Sequence, residues 1–127
     1  MGDSNHKGLI ERYISAYNRF DIDGMLALLT PDVVFENVSG DQITAAASGV
    51  EEFRRLAEQS KSLFSEREQR LTTWTEGPGH ATAGIAYRGR LAADIPNGPA
   101  AGTLLELDGS SEFSFRAGRI SRIVDRS

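Results

Sequence analysis

The run Thr103-Leu104-Leu105-Glu106-Leu107-Asp108-Gly109-Ser110-Ser111-Glu112-Phe113-Ser114-Phe115 decides how this chain folds. In an extended strand Thr103, Leu105, Leu107, Gly109, Ser111, Phe113 and Phe115 share one face, and Leu104, Glu106, Asp108, Ser110, Glu112 and Ser114 share the other. The odd-numbered face is the more apolar and needs a cover. Upstream, Leu9, Ile10, Tyr13, Ile14, Tyr17 and Phe20 recur at helical spacing, which predicts a first amphipathic helix. A second, shorter helix starts at Asp21 or Asp23, carries Met25, Leu26, Leu28 and Leu29, and stops before Pro31. A third follows Ser48 or Gly49, with Val50, Phe53, Leu56, Ala57, Leu63 and Phe64 on one side. Further strands are expected over 33–38, 71–75, 81–91 and 119–125, separated by turns such as Gly77-Pro78-Gly79 and Pro96-Asn97-Gly98-Pro99. The expected fold is therefore α+β: a cone-shaped curved antiparallel sheet with three N-terminal helices packed on its concave face, one domain over 1–127.

Apolar residues make up 39% of the chain and charged residues 25%, with a net charge of −4, a profile of soluble globular proteins. The 14 basic residues are dispersed among 18 acidic ones, so no basic stripe exists to neutralise phosphates and no nucleic acid partner is expected. The absence of cysteine removes disulfides, thiol catalysis and thiolate metal sites. His6 and His80 stand far apart without ligating neighbours, and no phosphate-cradling glycine motif occurs; neither a metal nor a cofactor is expected. The polar start and the lack of any long apolar stretch predict a cytoplasmic chain that does not contact membrane.

Four strings, Glu11-Arg12-Tyr13-Ile14, Asp32-Val33-Val34-Phe35-Glu36-Asn37, Tyr87-Arg88-Gly89-Arg90 and Phe113-Ser114-Phe115-Arg116-Ala117-Gly118-Arg119-Ile120, occur within this order of helices and strands. Together they resemble the superfamily of ketosteroid isomerase and the SnoaL-like polyketide cyclases, which also includes nuclear transport factor two and limonene epoxide hydrolase. The resemblance spans nearly the whole chain. It implies a cone enclosing a small apolar molecule, and a homodimer, for which Leu104 and Trp74 are expected on the outer face of the sheet. Because the superfamily holds enzymes, binding proteins and scaffolds, the fold does not by itself fix the function.

The resemblance assigns roles position by position. Tyr13 matches the tyrosine that binds the oxyanion in the isomerases; as a residue it is either that donor or a core tyrosine with a bonded hydroxyl. Asn37 stands where the isomerases carry their basic aspartate, and an amide accepts no proton at neutral pH. Ser111, or Ser110 with a different turn length, stands where isomerases and cyclases carry an acid. Compared with limonene epoxide hydrolase, Asn37 matches a water-holding asparagine, Asp125 the basic aspartate and Arg88 the bridging arginine. In that comparison Arg90 replaces the acid and Phe35 the second water-holding residue.

Strand phase places Val33, Phe35 and Asn37 on one face and Asp125 with Ile123. A carboxyl at position 125 is either a general base with a raised pKa beside the apolar interior or a solvated group at a strand end. Arg88 points outward by alternation with Ala83, Ile85, Tyr87 and Leu91, unless a bulge at Gly89 turns it in. Two readings follow. In the first, Tyr13, Asn37 and Asp125 carry out isomerase, cyclase or hydrolase chemistry on a carbonyl or epoxide. The wall of such a site is Tyr17, Phe35, Phe53, Leu56 and Tyr87, with Leu105, Leu107, Ser111, Phe113 and Ile123 from the later strands. In the second, the same cone is a ligand-binding protein or dimeric scaffold without catalysis.

Overall fold

A computed structural model describes residues 5–127. Helix α1 (His6–Asn18) begins where the Asn5 side chain accepts the Gly8 amide at 3.0 Å, and it buries Leu9, Ile10, Tyr13 and Ile14. Its end is a Schellman closure, in which the Asp21 amide donates to the Ala16 carbonyl and the Phe20 amide to the Tyr17 carbonyl. Phe20 occupies the left-handed position of that closure at φ 59°, where glycine is the usual residue. It therefore lies beyond the helix to which its spacing assigned it.

Helix α2 (Ile22–Leu26) is capped by Asp21 and makes little more than one turn. Leu28 and Leu29 fall outside it. Leu29 instead opens strand β1 (Leu29–Ser39) and pairs with Ile120, burial in the sheet overriding its helical spacing. Pro31 is tolerated because the ladder to β6 (Arg119–Arg126) shifts register between Leu29 and Val34. A hairpin through Gly40 leads to β2 (Gln42–Ser48), a strand the sequence did not announce, since its Ala45-Ala46-Ala47 centre has little strand propensity.

Helix α3 (Val50–Leu63) passes directly into β3 (Phe64–Gly77), so Phe64 starts a strand instead of ending a helix, and β3 begins well before the expected residue 71. β4 (His80–Leu91) and β5 (Leu104–Arg116) complete the sheet in the order β2-β1-β6-β5-β4-β3. All neighbours are antiparallel except β1 and β6, which run parallel, so the sheet is not antiparallel throughout. The chain leaves β1 through a hairpin and α3, re-enters at the far edge, and meanders back to meet β1 from the other side.

The helices cover one face of the six strands. Ile10, Leu29, Val33, Ile120 and Ile123 form the most deeply buried part of the core. Trp74 pairs with the buried Ala83 and packs against this core, which corrects its expected place on the outer face. Among the described residues no helix is long and apolar enough to cross a membrane.

Candidate functional site

Inside the cone the side chains stop short of filling the space, leaving a cavity of about 480 Å³. Its floor follows from strand register. Asn37 on β1 pairs with Asp125 on β6, and Asp125 pairs with Ser111 on β5, so three polar residues from three adjacent strands form one rung on the cavity face. The next rung toward the core, Phe35, Ile123 and Phe113, is apolar. There Phe113 and Ile123 are 3% and 1% exposed and belong to the core, which corrects their assignment to the cavity wall. Leu105, at the opposite end of β5, also lies off the cavity, whereas Leu107 lines it and is 53% exposed at the mouth.

The remaining wall comes from the helices and the outer strands. Tyr13 and Tyr17 project from α1, and Phe53 and Leu56 from α3, where Phe53 meets Phe35 edge to face at 5.7 Å. Tyr87 on β4 meets Tyr17 edge to face, with 3.4 Å between their hydroxyls. Gly109, between Leu107 and Ser111, is needed for space: a Cβ there would meet the Arg126 carbonyl oxygen at 2.4 Å.

Asp125 is half-buried, and the Ser111 hydroxyl donates to its Oδ1 at 2.6 Å. Burial raises its pKa from 3.8 to about 6, and the Ser111 hydrogen bond holds it back from a larger rise. Burial also raises the Tyr13 phenol well above its ordinary value, with the nearby Asp125 charge adding to the rise, so Tyr13 remains a neutral donor. The Asn37 Nδ2 donates to Thr44 Oγ1 at 2.8 Å, Thr44 being the extra residue of a bulge between β1 and β2. That amide is thus held by the protein.

Arg88 is exposed on the outer face, and the β4/β5 register runs through Gly89 without a shift, so no bulge turns it inward. A buried arginine does line the cavity, but it is Arg67 of β3, which the sequence reading passed over. It is 6% exposed; its Nε donates to the Tyr17 carbonyl at 3.0 Å, and its Cζ lies 3.7 Å from the Tyr17 ring centroid and 4.4 Å from that of Phe20. The stretch Ser65-Glu66-Arg67-Glu68-Gln69-Arg70 has no apolar alternation, so no phase could be read from it. The only available signal was that Arg67 and Gln69 share strand parity with Leu71. Among the described residues no group of three or more His, Asp or Glu side chains is arranged to hold a metal.

Residues 10–123 match the family model for the SnoaL-like domain. No curated protein matches the chain. Among solved structures it is similar to a Xanthomonas campestris protein provisionally described as a polyketide cyclase, with 24% identity, coverage of 95% of this chain and 88% of that one, and a TM-score of 0.81. A Silicibacter protein with the same provisional description has 28% identity, coverage of 94% and 85%, and a TM-score of 0.75. A Catenulispora acidiphila protein of ketosteroid isomerase-like fold, solved with trimethylamine, has 14% identity, coverage of 92% and 82%, and a TM-score of 0.75. The fold and the extent of the family match agree: this chain belongs to the SnoaL-like domain family.

Proposed function

We propose that the cavity binds a small, largely apolar molecule with a carbonyl oxygen, and that Asp125 moves a proton on it in an isomerase or cyclase reaction. The observation that carries this reading is the Asp125–Ser111 pair at the floor of an apolar cavity, with Asp125 raised to about 6. A carboxyl of that pKa is largely ionised at neutral pH yet more basic than a solvated aspartate. Asp125 takes the proton from the carbon beside the carbonyl, and the Tyr13 hydroxyl donates to the oxygen as it becomes an enolate. The protonated Asp125 then returns the proton to another carbon, or the enolate carbon bonds to a second carbonyl carbon of the same molecule, closing a ring, and the oxygen of that carbonyl takes the proton from Asp125. The likeness to the Silicibacter protein favours polyketide-like ketones as the first class to assay.

Epoxide hydrolysis has less support. The Asn37 amide is bonded to Thr44, Phe35 has no hydroxyl to share a water, and Arg88 is on the outer surface. In a panel of enones, epoxides and polyketide-like ketones, Asp125→Asn is expected to lower turnover by roughly two to four orders of magnitude. Tyr13→Phe is expected to lower it by about two to three. Turnover unchanged in Asp125→Asn would exclude Asp125 as the base. The second reading, a ligand-binding protein without catalysis, is favoured by the pairing of Asp125 with a serine in place of a second acid. Saturable binding with no turnover by the wild type selects it. We also propose a homodimer formed through the outer face of the sheet; a monomeric mass by light scattering at micromolar concentration would oppose it.

A further inference from the structure

Arg67 poses a charge problem that its own neighbours do not resolve. The Tyr17 carbonyl takes its Nε–H, and the rings of Tyr17 and Phe20 take the faces of the guanidinium. These contacts account for a cation closing the C-terminal end of α1. They leave Nη1 buried without a hydrogen-bond partner, and among the described residues no carboxylate forms an ion pair with Arg67. The acid on the cavity floor, Asp125, is bonded to Ser111 on the far side of the sheet order. An isolated buried cation is strongly unfavourable unless an anion meets it, and Arg67 borders the cavity.

We infer that the ligand carries a carboxylate that pairs with Arg67, joined to an apolar body of fused rings that reaches toward Asp125. The inference deepens the reading of the cavity as a ligand site and is independent of turnover. A carboxylate offers two oxygens to the planar donor edge of a guanidinium, which a neutral carbonyl does not. The holder is prepared before binding. Phe20 sits in a left-handed backbone conformation that a bulky residue rarely adopts, and that turn keeps its ring against the guanidinium. The cavity sets the size: Arg67 is aligned through Gly89 with Leu105, six residues along β5 from Ser111, the partner of Asp125, so the two groups lie toward opposite ends of the site, whose volume of about 480 Å³ is within the range of small-molecule sites.

The test uses anthracene-2-carboxylate and its neutral amide, titrated by fluorescence into the wild type, Arg67→Met and Asp125→Asn. The wild type is expected to bind the carboxylate about 10- to 100-fold more tightly than the amide, the usual strength of a charge-assisted pair. Arg67→Met should erase that preference and leave amide binding within about threefold of wild type. Asp125→Asn should keep it. Equal binding of both probes by the wild type, or a preference that survives in a folded Arg67→Met, overturns the assignment. Because Arg67 also supports α1, the side-chain ¹⁵N resonances of Arg67 in the wild type provide a reading that needs no variant. They should shift with the carboxylate and not with the amide; unmoved resonances at saturation overturn the proposal. Absence of saturable binding by either probe would instead overturn the cavity reading itself.

Discussion

Asp125 is the residue at which stability and the proposed chemistry oppose each other. Its carboxyl ionises near 3.8 when exposed and near about 6 in the fold, so below 3.8 both states are protonated and the folded chain bears no penalty. As pH rises from 4 to 6 the unfolded chain ionises first, and the stability present at low pH is lost; by about pH 7 the loss is complete, on the order of 1–3 kcal/mol. Asp125→Asn should therefore be more stable than wild type at pH 8 by about 1–3 kcal/mol, with the gap closing below pH 4. Urea denaturation of both proteins across that range measures it, and a gap independent of pH would refute the burial of this carboxyl. The sequence carried enough to place Asn37, Ser111 and Asp125 on cavity-facing phases, because each sits in a strand with apolar neighbours two residues away. Arg67 has no such neighbours until Leu71, and its environment is made by Tyr17 and Phe20 from a different element.

Among elements, the meander was legible from alternation and turns, and the helices from their spacing. What escaped was every boundary set by contacts far along the chain. α2 ends early because Leu29 is needed beside Ile120, and β2 exists because β1 offers its open edge to it. The first half of β3 is similar: its polar residues form a strand because β4 pairs with them, and α1 finishes the other edge. There Asn18 acts like a strand residue, its Nδ2 donating to the Gln69 carbonyl at 3.0 Å and its Oδ1 accepting the Gln69 amide at 2.7 Å. Asn18→Ala removes both bonds and leaves part-buried backbone groups unpaired, so a destabilisation of about 1–3 kcal/mol is expected. Hydrogen exchange should register it first at Gln69. Equal protection of that amide in the two proteins would mean that the helix does not hold this edge.

For the molecule as a whole, the division of labour is between a floor made by β1, β6 and β5 and a rim made by α1, α3 and β3. The sheet order was not readable from local pattern, since nothing in either strand signals that β1 and β6 lie side by side and parallel. That adjacency also has a consequence for assembly in time. Asn37 and Asp125 are about 90 residues apart in the chain, and closing so long a loop delays their meeting relative to the local hairpins. During synthesis the helices, β1 and the strands up to β5 emerge before the segment that brings Asp125 to Ser111. A nascent chain that has not yet released β6 lacks Asp125 and the core residues Ile120 and Ile123, so its cone is unfinished. The proposed site thus becomes complete only once β6 has emerged.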